Sequence, residues 1–181
     1  MSNPDDLFAI YSADRTPKRA PTGEALATAL ADNVRQAFAL MGTLTAEVGQ
    51  ALAQARYTLR LSPTVVERGS GLRLDRTSES FRDYLRSWSH QRADGISGGM
   101  HWEAQITVTD QRRTTAEIGL GLTIEWPSGE EGAGLAFVEF WTTGQGAALP
   151  AESRAFQRAL VGSIVRLEEA GAIASAKPRT P

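Results

Sequence analysis

The sequence contains no cysteine, only two histidines and, among its 19 basic residues, only two lysines, Lys18 and Lys177. Without cysteine the chain can form no disulfide and offers no thiolate nucleophile, zinc knuckle or iron–sulfur ligand. It also lacks any apolar run of about 18 residues that could cross a membrane, and it does not begin with the basic and apolar regions of a signal peptide. We therefore expect a cytoplasmic protein that makes no membrane contact.

Positive charge is not in excess either, since the formal net charge of the 181 residues is −2. A protein whose whole surface holds nucleic acid or an anionic membrane needs a large cationic excess. The charge is nevertheless uneven, because residues 56–92 are rich in arginine and residues 93–150 are rich in acids. A chain of this length with 41% hydrophobic residues can bury one core of ordinary size.

The pattern of prolines, glycines and apolar residues divides the chain into three parts. Residues 1–22 are interpreted as an N-terminal arm and linker, with a short helix over 3–12 that begins at Asn3 and Pro4. Residues 23–172 form the predicted single domain. Residues 173–181 are predicted to be a flexible tail.

The clearest periodic signal predicts one long helix over 24–56. Apolar residues recur every three or four positions there, which places them on one face of a helix. Such a helix would be about 50 Å long, longer than a compact domain of this size, so part of its apolar face would need a second copy of the chain to cover it. The candidate dimer surface consists of Leu26, Leu30, Val34, Phe38 and Met41. Whether the helix breaks near Gly42 or Gly49 stays open.

Alternating apolar and polar residues predict about five strands in the rest of the domain. Two lie between residues 57 and 74, and three lie between residues 102 and 142. A second helix is predicted near 78–91 and a last helix near 150–170, with Gly171 as its C-cap. The resulting order, α-ββ-α-βββ-α, predicts an α+β protein with an antiparallel sheet covered on one face by helices.

A candidate ligand pocket lies between the predicted sheet and helices. It contains three tryptophans and a carboxylate, namely Trp102, Trp126, Glu139 and Trp141. Glu139 interrupts an otherwise apolar strand, so it either faces a helix-borne arginine or lines the pocket. Pockets that combine aromatic walls with few polar groups are typical of small-molecule sites.

A candidate anion-binding face comes from the arginine-rich part of the chain and consists of Arg73, Arg76, Arg82 and Arg86. Arginines of this kind could grip phosphates. The simpler interpretation is a solvated helix face on which the arginines pair with neighbouring acids such as Glu79. We expect no nucleic-acid partner.

No complete catalytic, metal or cofactor motif is present. Gly95 to Gly99 match the Gly-x-Ser-x-Gly pattern around Ser97, but a nucleophile elbow needs a strand before it and a helix after it, and the predicted order is the reverse. His90 and His101 could form a site with Asp94 and Glu103, although closeness in sequence does not show closeness in space. We expect no cofactor, no metal and no enzymatic activity.

The sequence leaves three functional hypotheses. The first is a non-enzymatic accessory or adaptor protein that acts through contacts with itself, as a homodimer, and with another protein. The second is a small-molecule-binding protein or enzyme with a pocket between sheet and helices. The third is a nucleic-acid binder that uses the arginine-rich face.

Overall fold

The computed structural model describes the backbone of residues 24–55, 57–92, 98–126 and 135–175, and the side chains of 31–54, 57–87, 100–124 and 136–175. Within these ranges three α-helices and an antiparallel sheet of seven strands confirm the α+β class. The helices are α1 (Glu24–Ala51), α2 (Glu79–Arg92) and α3 (Ser153–Glu169). The strands are β1 (Thr58–Leu61), β2 (Thr64–Glu67), β3 (Arg73–Asp75), β4 (Gly98–Thr109), β5 (Thr115–Trp126), β6 (Leu135–Phe140) and β7 (Gln145–Leu149). The arm and linker predicted over 1–22 lie outside the described residues.

Every strand pairing in the sheet is antiparallel. The strand order is β3-β2-β4-β5-β6-β7, and β1 pairs with the part of β4 that lies beyond β2. The two central strands, β4 and β5, pair along their full 12-residue length. The sheet has more strands than expected because Ser62 and Pro63 divide the first predicted strand into β1 and β2, and because β7 was not predicted.

One face of the sheet is covered by the helices and carries the core. β4 and β5 alternate strictly, so that every second side chain between Met100 and Val108, and between Ile118 and Ile124, is buried. β6 and β7 continue this layer with Val138, Phe140 and Ala147. The alternation follows from the two-residue period of a strand, and it leaves the other set of side chains on the opposite face.

Helix α1 runs without a break past Gly42 and Gly49 and ends at Ala51, followed by a 3-10 turn over Ala53–Ala55. Its 28 residues span about 42 Å. Its apolar stripe packs on the chain's own sheet and neighbouring helices. The buried members of the stripe are Ala31, Val34, Ala37, Phe38, Met41, Leu44 and Val48.

Aromatic rings join the helices to the sheet. Phe81 of α2 packs edge to face against Phe38 of α1, with ring centroids 6.0 Å apart, and against Trp102 of β4, with centroids 5.2 Å apart. At the other end of the core, Phe140 and Phe156 pack at 5.0 Å. Edge-to-face pairs of this kind add about 0.5–1.5 kcal/mol beyond the burial of their surface.

The start of α2 is built by side chains that accept backbone N–H groups. The Ser78 hydroxyl accepts the N–H of Phe81 at 3.1 Å, which is the N-cap arrangement. Just before it, the Asp75 carboxylate accepts both the hydroxyl and the N–H of Thr77, at 2.7 and 2.8 Å. These bonds from Thr77 hold the pKa of Asp75 below its usual value.

The chain after α3 packs on the domain as far as Ser175, which is beyond the domain boundary at 172 expected from sequence. Ile173 is buried, and the N–H of Ala174 donates to the Asp110 carboxylate at 2.8 Å. The carbonyl of Ala174 accepts the hydroxyl of Tyr57 at 2.7 Å. Residues 173–175 are therefore not a free tail, because the N–H and the carbonyl of Ala174 are both hydrogen-bonded to side chains of the domain, Asp110 and Tyr57.

The Asp110 carboxylate also organises the turn between β4 and β5. It accepts the N–H groups of Arg112 at 2.8 Å and Thr114 at 2.9 Å. The bond from the N–H of Ala174, followed by those from Thr114 and Arg112, holds the pKa of Asp110 below its usual value. Among the described residues no helix is both long and apolar enough to span a membrane.

Candidate functional site

The face of the sheet opposite the helices is the candidate functional site, and we call it the open face. Cross-strand register places Arg73, Val66, Glu103, Gly121, Glu139 and Gly146 in one row across it, in that order. The next row along the strands contains His101, Thr123, Phe137 and Ala148. In the part of the chain that the structure describes, no helix packs over these two rows.

Two large aromatic side chains lie on the open face with about half of their surface in solvent. Phe137 is 45% exposed and Trp141 is 49% exposed. A soluble protein usually buries rings of this size, because each carries a large apolar surface. Exposed aromatic surface is a feature of interaction sites.

Trp141 is held flat against the sheet by two glycines of β5. The backbone N–H of Trp141 donates to the Gly119 carbonyl at 3.1 Å, which continues the β5–β6 pairing by one residue. A Cβ placed on Gly119 would lie 2.5 Å from Cε3 of the indole, and one on Gly121 would lie 3.2 Å from Nε1. Only glycine therefore permits this close approach of the ring to the backbone.

Phe137 has the same relation to a glycine of β7. A Cβ on Gly146 would overlap the tip of the Phe137 ring. Gly146 pairs with Glu139, so the ring leans diagonally over the neighbouring strand. Each exposed ring thus covers backbone that has no side chain of its own.

Glu139 lies between the two rings and is exposed. It shares the face of Gly121 and Gly146, which explains a charge within an apolar strand: the odd positions of β6 face solvent while Val138 and Phe140 face the core. Beside Trp141 the open face has a groove of about 400 Å³, whose lining includes Val66, Arg73 and Glu103.

The four residues of the predicted pocket do not meet in one place. Trp102 is 1% exposed and lies on the helix-covered face, whereas Glu139 and Trp141 lie on the open face. The side chain of Trp126 lies outside the described residues. The separation follows from strand parity, since Trp102 pairs with Leu122 while the next residue, Glu103, pairs with Gly121.

Trp102 instead belongs to a buried cluster at the β2–α2 contact. Its ring packs edge to face with Tyr84 at 5.9 Å, and Nε1 has no hydrogen-bond partner among the described residues. The Tyr84 hydroxyl donates to the Glu67 carboxylate at 2.6 Å. Burial, reinforced by that bond and by the negative charge of Glu67, raises the pKa of Tyr84 to about 12.

The four arginines of the predicted anion-binding face are also separated. Arg73 lies on the open face, next to Val66. Arg76 is half-buried and donates through Nε to the Ser62 carbonyl at 3.0 Å, and burial lowers its pKa. Arg82 pairs with Glu79 at 2.7 Å and Arg86 is exposed on α2. The structure therefore does not bring them together on one phosphate-binding surface.

The predicted dimer surface on α1 is used within the chain. Val34, Phe38 and Met41 are each no more than 2% exposed and pack in the core, while the side chains of Leu26 and Leu30 lie outside the described residues. Helix α1 ends at Ala51, so it is shorter than the helix expected over 24–56, and it packs against α2, α3 and the sheet.

The remaining chemical candidates do not form a described centre. His101 is exposed on the open face, and its Nδ1 lies 3.1 Å from the Thr123 hydroxyl. Among the described residues no three His, Asp or Glu side chains are grouped so that they could hold a metal ion. Asp94 and Ser97 lie outside the described residues, as does the side chain of His90.

The chain matches no protein-family model, no curated protein and no solved structure. Functional hypotheses therefore depend on the chemistry of its own surfaces.

Sequence reasoning missed the open face as a site. Its signal was present in the spacing of Gly119 and Gly121 on one side of β5 and of Phe137, Glu139 and Trp141 on one side of β6. Glycines two apart in a strand leave a strip of bare backbone, and an exposed aromatic on the same face of the next strand can cover it.

Proposed function

We propose that this protein is a non-enzymatic accessory or adaptor protein that works through protein contacts and associates as a homodimer through the open face. The observation that carries the proposal is the pair of half-exposed rings, Phe137 and Trp141, held flat over glycines on the face that no described helix covers. The candidate dimer surface is thus moved from α1 to the sheet.

Several properties of the two rings suit an interface. Tryptophan and other aromatics are enriched among the residues that contribute most to binding, and they lose little conformational entropy because they have only two side-chain torsions. Contact with Gly119, Gly121 and Gly146 already restricts the rings before any partner arrives. A partner would therefore bury their outer surfaces at a reduced entropic cost.

The edges of the sheet favour association by the face. At the β7 edge, the N–H of Ala148 donates to the Glu152 carboxylate at 2.8 Å, and the carbonyl of Ala148 accepts the N–H of Glu152 at 2.7 Å. At the other edge, β3 has only three residues. Blocked or short edges oppose the addition of a strand from another chain.

Charge on the open face supports a second copy as the occupant. Arg73 stands at one end of the central row and Glu139 stands near the other end. A two-fold axis that runs parallel to the strands and passes over Glu103 would bring Arg73 of each copy to Glu139 of the other, and it would also place the two copies of Glu103 next to each other at the axis. Two-fold interfaces are built from such self-complementary patches.

The open face is large enough for a stable interface. Across the strands, six positions at about 4.8 Å spacing extend about 24 Å. Along the strands, the two longest, β4 and β5, extend about 40 Å. A stable interface buries about 800 Å² on each partner, which is comparable with this area.

Light scattering coupled to size exclusion tests the proposal. We expect a mass near twice the 19.5 kDa of one chain at micromolar concentration, and a mass near one chain for the double variant Phe137→Ser with Trp141→Ser. The matched control is Val165→Ser, which removes an exposed apolar side chain on α3, away from the open face. A native mass of one chain that does not change on tenfold concentration would contradict the proposal, as would a double variant that stays dimeric.

A further inference from the structure

A second surface, on the helical side of the domain, is independent of the open face. Helices α1 and α3 lie side by side, and a groove of about 520 Å³ runs between them. Its apolar lining comes from Val48 and Ala51 of α1, from Leu52 directly after α1, and from Val161 of α3. Val161 is 38% exposed, so part of this lining is open to solvent.

Two arginines stand on the α3 side of this groove. Arg154 and Arg158 are four residues apart, so they lie one helical turn, about 6 Å, apart on the same face of α3. Both are exposed, and neither is in an ion pair among the described residues. A guanidinium left without a carboxylate beside an apolar surface is a ready site for an acidic partner.

The acidic group already in the groove is engaged by the protein. Glu47 of α1 accepts the side-chain N–H of Gln157 of α3 at 2.7 Å, a bond that ties the two walls together. The two arginines therefore leave the groove with a net positive charge. On the same helix as the arginines, Phe156 and Leu160 are buried in the core.

We propose that the groove binds an acidic amphipathic helix of a partner protein. Such a helix places apolar side chains at i, i+3, i+4 and i+7 in a groove between two helices, and carboxylates four residues apart on its flank match the spacing of Arg154 and Arg158. The groove lies open along one side, whereas sites for small molecules usually enclose most of the ligand. A helix fits that shape better than a small amphipathic anion.

The probe is a fluorescein-labelled 18-residue peptide designed as an amphipathic helix, with leucines at i, i+3, i+4 and i+7 and glutamates four residues apart beside them. Fluorescence anisotropy with the full chain at 0.05 M NaCl measures its Kd. The control peptide carries lysine at every glutamate position. We expect saturable binding of the acidic peptide only, weakened as NaCl is raised to 0.5 M because exposed ion pairs are screened.

Matched variants locate the binding. Arg154→Glu with Arg158→Glu is expected to weaken the acidic peptide about tenfold or more, whereas Arg86→Glu with Arg166→Glu, an equal charge change at exposed helical positions outside the groove, leaves the Kd within about twofold. Val161→Ser is expected to weaken binding about threefold. Val165→Ser, one turn further along α3 and 43% exposed, is expected to have no effect.

Three outcomes would overturn the proposal. The first is a failure of the acidic peptide to bind specifically. It would show either as no saturation below about 1 mM peptide, which is too weak for a specific site, or as equal binding of the acidic and lysine peptides. The second is saturable binding of dodecanoate, but not of the peptide, with the same dependence on Arg154 and Arg158, which would make the groove a site for a small carboxylate. The third is loss of self-association in Val161→Ser, which would make the groove the contact between copies. The first two outcomes leave the mass measurement on the open face unaffected, so the groove proposal can fail while the open-face dimer stands, whereas the third outcome would contradict both proposals.

Discussion

A double-mutant cycle between Gly119 and Trp141 measures the contact that shapes the open face. A methyl group added at Gly119 would lie 2.5 Å from the Trp141 indole if the ring did not move. This distance is about 1 Å shorter than the optimal separation of two non-bonded carbon atoms. The indole is half-exposed and can swing outward. Gly119→Ala is thus expected to displace the ring and leave the sheet folded.

The magnitude follows from two opposing terms. An alanine within a strand is about 0.5–1 kcal/mol more favourable than a glycine, and the ring contact with the neighbouring strand is worth about 0.2–1 kcal/mol. Gly119→Ala in the native chain should therefore change the free energy of unfolding by less than about 1 kcal/mol. In a Trp141→Ala background the same change should stabilise the fold by about 0.5–1 kcal/mol.

Urea unfolding of the four proteins gives the coupling free energy. All four are measured at one dilute concentration at which light scattering shows single chains, because self-association would raise apparent stability. We expect Gly119→Ala to be less favourable with the tryptophan present than without it, by the worth of the displaced ring contact, about 0.2–1 kcal/mol. A coupling of zero, or of the opposite sign, would refute the contact of the ring with Gly119.

Three further predictions concern the rest of the domain. The lowered pKa of Asp110 means that its carboxylate stabilises the fold above the ordinary aspartate pKa and that this contribution is lost as pH falls through the folded-state value. Asp110→Asn should therefore lower Tm at pH 7, and the difference in Tm from the native chain should narrow as the pH falls below the ordinary aspartate pKa. The raised pKa of Tyr84 implies the opposite sign, with stability lost as pH rises through about 10 to 12. Absorbance at 295 nm should show the Tyr84 hydroxyl ionising above the ordinary tyrosine pKa, and Glu67→Gln should bring that step earlier but not to the ordinary value, because burial is the larger cause. Glu152→Ala should unblock the β7 edge and raise light scattering on warming relative to Arg154→Ala; equal scattering of the two variants would show that the edge is protected by other means.

Much of the fold could be predicted from the periodicity of the sequence. The α1 stripe and the alternation in β4 and β5 are long enough to identify the element and its buried side. β7 was missed because its residues, Gln145 to Leu149, are mainly small ones that carry little alternation. The sequence also predicted one strand where the structure has β1 and β2. The two segments are separated at Pro63, but both pair with β4.

The candidate site was harder to predict because it depends on register. Trp102 and Trp141 are the same residue type in neighbouring parts of the sheet, but they lie on opposite faces. Parity within one strand follows from sequence, whereas the side shared by residues of different strands follows only from their pairing. The apolar stripe of α1 also could not show whether its own chain or a second copy covers it, since both bury the same residues.

Exchange of charge across the open face tests the central claim most directly. Arg73 and Glu139 lie in one row of exposed positions, and in the proposed dimer each approaches the other residue of the partner copy. The mass of Arg73→Glu and of Glu139→Arg is measured by light scattering at the concentration where the native chain is dimeric. We predict that each single variant shifts toward the mass of one chain and that the double variant Arg73→Glu with Glu139→Arg returns to the dimer. Single variants that remain dimeric, or a double variant that does not recover, would contradict this arrangement of the two copies.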